Sequence, residues 1–129
     1  MQVFEQLITV TQDDLDDLNH VNNVRYVQWV QDIAKAHWMQ NASKDILDFY
    51  FWVVVSHHIE YKGSALLGDL IQLKTFVTKS EGVTSTRLVE MYHKTSGKLL
   101  VKAETVWCLM DMKSKRPARI PKEIAILFD

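Results

Sequence analysis

The chain is poor in cysteine: among its 129 residues Cys108 stands alone. One thiol excludes an internal disulfide framework and fits a reducing, cytoplasmic compartment. Its apolar neighbours Val106, Trp107, Leu109 and Met110 mark it as a buried structural thiol rather than a reactive one. Long hydrophobic runs are also missing, and none approaches the ~20 residues a membrane span needs. No cationic segment followed by an apolar stretch opens the chain as a secretory signal would. No membrane association is therefore expected. Neither sign of charge is in excess: 15 Lys and Arg against 16 Asp and Glu leave a formal net charge of -1. That balance argues against a dedicated nucleic-acid binder, which needs a basic field to engage phosphates. Metal-ligand spacing is absent as well. His57 and His58 are consecutive in a strand pattern, so their side chains point to opposite faces and cannot chelate one ion. No metal or other cofactor is expected. The chain has no internal repeat and no low-complexity segment.

What is present is enough for one domain over residues 1–129, with a core of its own. Residues 3–10 have the β-formers and partial alternation of a strand, and the polar, aperiodic segment 11–23 follows as a loop. From Val24 to about Met39 the period becomes helical. Val24, Val27, Val30, Ile33 or Ala34, and Trp38 form a stripe, with Arg25, Gln28, Asp32 and Lys35 opposite. Tyr26 and Trp29 widen the apolar arc, so the helix is expected to be covered over most of its girth by a curved sheet. Asn22 or Asn23 is a natural N-cap. The polar stretch 40–43 ends the helix. Four further strands are expected over 49–61, 70–79, 83–93 and 98–112, joined by turns at Gly63, Gly82 and Gly97. Pro121 opens a short terminal helix. One strand, one buried helix and an antiparallel meander make an α+β fold.

The strand around Trp52-Val53-Val54-Val55-Ser56 is apolar on both faces and carries no charge as a gatekeeper. Such a strand is either central or paired with another subunit. A homodimer with a continuous sheet, or a homotetramer built from two, is expected.

The densest chemistry lies in Asp14-Leu15-Asp16-Asp17-Leu18-Asn19-His20-Val21-Asn22-Asn23, directly before the long helix. A helix N-terminus offers unbonded N–H groups and partial positive charge, which stabilise developing negative charge. Acid/base side chains beside it have the parts of an acyl-transfer site.

The order β-α-β-β-β-β with a long wrapped helix resembles the hotdog fold, an antiparallel five-stranded sheet wrapped around one long central helix. The stretch from Asp14 through Asn22-Asn23 to Tyr26 and Trp29 is similar to the motif at the helix start of the 4-hydroxybenzoyl-CoA thioesterase-like family. It is closest to the plant acyl-ACP thioesterase version, where Asp-Leu-Asp leads to His-Val-Asn-Asn and then Tyr and Trp. Ile59-Glu60-Tyr61-Lys62-Gly63-Ser64-Ala65 followed by Gly68-Asp69 resembles the family's second strand and turn, and Arg116-Pro117-Ala118-Arg119-Ile120-Pro121 its end. The resemblance covers essentially the whole chain. The first motif is specific; the other two are weak alone.

This resemblance implies a thioesterase acting on an acyl-CoA or an acyl-carrier-protein (acyl-ACP) substrate, with neither metal nor cofactor. The family's catalytic carboxylate falls on Asp16, and its oxyanion donor, a backbone N–H in the first helical turn, falls at or near Asn23. Two plant-type positions depart: Leu18 stands for an Asn, and Ser64 for a later Glu. The simpler arrangement of one Asp and a helix is left intact. Tyr26 and Trp29 are expected to line the acyl chain between the helix and a partner subunit.

Each of these residues also has a plainer reading. Asp16 competes as a solvated loop carboxylate, and Asp14 and Asp17 are by type solvated or capping. His20 either orients substrate and assists Asp16 or holds loop backbone in place. Glu60 is expected in a cross-strand ion pair. The basic run Lys113, Lys115, Arg116, Arg119 is a solvated tail by default, with contact to phosphates or an acidic carrier protein as its functional alternative. Two other functions fit the fold. A hydratase or dehydratase would pair Asp16 with His20, though those enzymes space the pair one residue wider in a loop containing Gly and Pro. A non-catalytic acyl-binding subunit would need no base at all.

Overall fold

The computed structural model describes residues 1–129. Strand β1 (Phe4–Thr9) is followed by a 3-10 turn (Gln12–Asp14) and the long helix α1 (Asn23–Asn41). A short helix α2 (Lys44–Phe49) leads into β2 (Tyr50–Tyr61), β3 (Leu70–Glu81), β4 (Thr84–His93) and β5 (Leu99–Asp111), and α3 (Lys122–Ala125) closes the chain. The five strands form one antiparallel sheet in the order β1-β3-β4-β5-β2.

Alternation decides what faces α1. Ile71, Leu73 and Thr75 on β3, Ser85, Arg87, Val89 and Met91 on β4, and Val101, Ala103 and Thr105 on β5 are buried, and the residues between them are not. Tyr26, Trp29, Val30 and Ile33 of α1 join Ile71, Leu73, Val89, Met91, Val101 and Ala103 in the main core. A second cluster holds Trp38, Leu109, Ile124 and Phe128, so the C-terminal segment closes the far end of the helix. Between the two clusters runs a polar layer made of Thr75, Arg87, His37 and Thr105.

Several sequence expectations shift here. The buried stripe of α1 runs through Tyr26, Trp29, Val30, Ile33, Ala34, His37 and Trp38, so its centre lies along Tyr26, Val30 and His37. Val24, placed by periodicity in the stripe, is 73% exposed because it sits in the first turn, ahead of the sheet. Within this chain α1 is covered on one side only, and Gln28, Asp32, Lys35 and Met39 face outward. Helix α2 was absent from the sequence reading. Its start is set by Ser43, whose Oγ accepts from the Ile46 N–H at 3.3 Å. Glu60 pairs along its own strand, with Lys62 Nζ at 3.2 Å and His58 Nε2 at 3.5 Å, rather than across strands. The apolar β2 is an edge strand bonded only to β5, which leaves its other side open.

Candidate active site

The loop before α1 folds back on itself. Leu15 bridges Val21, the Asn22 N–H donates to the Asp14 carbonyl at 2.9 Å, and the Asp16 N–H donates to the His20 carbonyl at 2.7 Å. Asn19 turns the chain with φ 63, a left-handed conformation that Asn tolerates better than most residues. Asn22 then caps α1: its Oδ1 accepts from the Val24 N–H at 3.0 Å. That choice of cap makes Asn23 the first helical residue, and its own N–H has no partner in the protein.

The carboxylates of this loop have different work. Asp14 is buried and fully engaged: Oδ2 accepts from the Thr11 N–H at 2.8 Å and the Thr11 hydroxyl at 3.1 Å, and Oδ1 pairs with Arg25 Nε at 3.0 Å. It clamps the loop to the helix. Asp17 is exposed and unpaired. Asp16 is half-buried, and its Oδ1 accepts from the Leu18 N–H at 2.9 Å and the His20 N–H at 3.0 Å. Oδ2 of Asp16 accepts nothing, so one oxygen anchors the side chain and the other is available.

The loop after β2 joins the same cluster. The Val21 N–H donates to the Ala65 carbonyl at 3.0 Å, His20 bridges Leu66, and the Ala65 N–H donates to the Tyr26 hydroxyl at 3.1 Å. Exposed Ser64 and the exposed His20 side chain therefore belong to neighbouring backbone segments. Tyr26 and Trp29, expected to line a substrate, are instead packed in the main core at 1% and 6% exposure. Both belong to the buried stripe, and Tyr26 touches the site through the hydroxyl that holds Ala65. No group of three His, Cys, Asp or Glu side chains is gathered so as to hold an ion.

A small cavity of about 240 Å³ adjoins the loop, bounded by Asp13, Asp14, Leu15, Asn22, Val24 and Gln28 among others. A larger cleft of about 620 Å³ runs along α1 between Trp38, Phe51, Trp52, Trp107 and Phe128. Gln28 borders both. The sequence reading missed this cleft and the Arg87 in its wall. The available signal was the alternation of β4, which puts Arg87 in phase with Val89 and Met91.

Arg87 donates from Nη1 to His37 Nδ1 at 2.9 Å and to the Thr75 hydroxyl at 3.1 Å. Burial, reinforced by the Arg87 charge, pushes the His37 pKa down to about 4, so the ring is neutral near pH 7. It accepts from Arg87 through Nδ1 and donates from Nε2 to Gln2 Oε1 at 2.6 Å. Burial also lowers the Arg87 pKa to about 10, which leaves the guanidinium charged near neutrality.

Known proteins place this architecture. A chloroplastic acyl-(acyl-carrier-protein) hydrolase of Cuphea viscosissima is 35% identical over 75 residues, 57% of this chain; the match spans 18% of that relative's length. In structure, a mutant of 4-hydroxybenzoyl-CoA thioesterase complexed with 4-hydroxybenzoyl-CoA superposes over 100% of both chains with a TM-score of 0.90 at 11% identity. A 1,4-dihydroxy-2-naphthoyl-CoA thioesterase from Synechocystis covers 98% of this chain and 95% of its own, with a TM-score of 0.84 at 16% identity. At such identities the likeness speaks to the fold, which is the hotdog fold. The description that matches residues 10–128 is that of the thioesterase-like superfamily, and the chain belongs to it.

Proposed function

We propose that the chain is a thioester hydrolase acting on an acyl-CoA or acyl-ACP substrate. One observation carries the reading. Asp16 is held by two backbone N–H groups through one oxygen, its other oxygen is unbonded, and the unpartnered Asn23 N–H opens the adjoining helix. In this mechanism the Asn23 N–H polarises the thioester carbonyl and takes up the charge that develops on its oxygen. The Asp16 carboxylate attacks the carbonyl carbon, or takes a proton from a water that does so. The carbon–sulfur bond breaks, and the thiolate leaves with a proton that comes from the water consumed. In the direct-attack route that water hydrolyses the acyl–Asp16 anhydride, and by either route the free acid departs and Asp16 is regenerated. His20 stands at the exposed rim of the same loop, where it orients substrate. Ser64 borders the site from the loop bonded to Val21.

The cleft along α1 suits the acyl group, because its walls are aromatic and Gln28 borders both it and the cavity at the loop. The open side of β2, with Val53 and Val55 exposed, supports a second subunit pairing there. No helix is long and apolar enough to cross a membrane. Release of thiol from a panel of acyl-CoAs and acyl-ACPs, followed at steady state, tests the proposal. Hydrolysis of at least one series is expected. Binding without turnover across the panel would reassign the chain as an acyl-binding subunit, and addition of water across an enoyl thioester as a hydratase.

A further inference from the structure

Arg87 is 5% exposed and takes part in none of the protein's ion pairs. A guanidinium carries five N–H donors and is seldom buried without a carboxylate. Here both contacts of Nη1 are to neutral groups, the His37 ring and the Thr75 hydroxyl. The Thr75 hydroxyl in turn donates to the Leu88 carbonyl at 2.8 Å, which turns its oxygen lone pairs towards Arg87. Phe128 lies under the guanidinium, with its ring centre 5.1 Å from Cζ. Thus Nη1 and the stacked face fix the plane of the group. Nε and Nη2 make no hydrogen bond within the protein, yet neither is sealed off as a buried orphan. Arg87 is among the residues that line the 620 Å³ cleft, so those two nitrogens are free to meet a group bound there.

We propose that Arg87 is a specificity-determining residue that binds a carboxylate at the far end of the acyl group, so that the preferred substrates are thioesters of acids carrying a second acid function. The Nε and Nη2 pair is the fork that takes a carboxylate through two parallel hydrogen bonds. Trp38, Phe51 and Trp52 flank the approach with apolar surface, which suits a hydrocarbon spacer and excludes the solvated nucleotide half of coenzyme A. On the same sheet face, Trp107 lies beside Ser85, and neither carries negative charge; the charged groups of the cleft other than Arg87 are Asp32 and Lys35, both on the α1 side. A purely structural arginine would use its remaining donors on carbonyls or meet an internal carboxylate, because an unanswered buried charge is expensive.

The inference rests on the thioesterase reading for its substrate, and the test separates the two. Wild type, Arg87→Lys and Arg87→Met are compared on length-matched pairs such as adipoyl-CoA against hexanoyl-CoA and suberoyl-CoA against octanoyl-CoA. The readout is the ratio of kcat/KM within each pair. It should favour the carboxylate-ended substrate in wild type and fall by on the order of a hundredfold in Arg87→Met, the scale of losing one partner of a desolvated charge pair. Arg87→Lys should keep part of the preference. A wild-type ratio below one, or an Arg87→Met variant with the wild-type ratio, overturns the assignment. A second measurement needs neither turnover nor a folded variant. The arginine Nε–H signals of isotope-labelled wild type are followed by NMR during titration with adipate, with inorganic phosphate and with hexanoate. A buried Nε–H signal that shifts with adipate alone supports the proposal. Equal response to hexanoate, response to phosphate only, or no response overturns it. If no thioester is hydrolysed, the functional proposal fails while the titration still decides Arg87.

Discussion

Arg25 Nε lies 3.0 Å from Asp14 Oδ1, and this pair fastens the first turn of α1 to the loop that carries Asp16. Asp14 is therefore a clamp even though its neighbour two residues on is the reactive candidate. Asp14→Ala removes the pair and both Thr11 bonds, so it should destabilise the fold by roughly 1–2 kcal/mol, the scale of a lost cap or charged hydrogen bond. Urea denaturation measures this. Adding Arg25→Ala should then cost little more, since the partner is already gone; full additivity would show that the two act separately.

Asp16→Asn keeps an Oδ1 that accepts from the Leu18 and His20 N–H groups, and so keeps the loop. Thioester hydrolysis should fall by a factor of about 10² or more with unchanged thermal stability. Wild-type turnover in this variant would remove Asp16 from the mechanism, and an equal fall in Asp17→Asn would mean a general charge effect.

The Asn23 N–H is open to test because the capping side chain belongs to Asn22. Asn23→Ala should keep most activity, whereas Asn22→Ala should lower stability by about 1 kcal/mol. Replacing the peptide link at Asn23 by an ester deletes the N–H alone. Turnover should then slow by some hundredfold, the value of one oxyanion donor. An ester at Asn22 removes a bond to the Asp14 carbonyl and reports only the loop's structural share. Equal effects on turnover at the two positions would make the helix terminus structural.

His37 should make stability fall with acid. Its pKa drops from 6.5 to about 4 on folding, so between those values the unfolded chain binds a proton that the folded chain does not. Stability is complete above pH 6.5 and is lost as pH falls toward 4, by roughly 3 kcal/mol in all. Denaturant midpoints at pH 7, 5.5 and 4.5 should decline in wild type and decline less steeply in His37→Asn. Parallel slopes in the two proteins would place the acid sensitivity elsewhere.

The open β2 edge should seat a second subunit. Light scattering of the wild type at micromolar concentration should give a dimer or tetramer. Val55→Lys, on the exposed part of that edge, should shift the mass toward monomer. A monomeric wild type would leave β2 unpartnered and refute the proposed assembly.

Most of the element order was legible in the sequence, because periodicity is a local property. The strand over 70–79 extends to Glu81, and the helix expected over 24–39 runs Asn23–Asn41 with Asn22 as its cap. The position of Asp16 relative to the helix start was legible too, since a fixed number of residues separates them along the chain. Helix α2 escaped notice because six residues are too few to show a period.

By itself, then, the sequence determined where each strand and the long helix begin and which short stretch holds the acid/base groups. Three things were decided only by tertiary structure. Which of the neighbouring carboxylates is free depends on Arg25 reaching Asp14 and on backbone N–H groups closing around one oxygen of Asp16. Which side of α1 is core depends on where the sheet lies, and that moved Tyr26 and Trp29 from a supposed substrate wall into the interior. The placing of Arg87 against His37, fifty residues away along the chain, follows from strand register and helix packing together. Contacts between distant segments are fixed by which surfaces exclude water jointly, and no window of neighbouring residues contains that information.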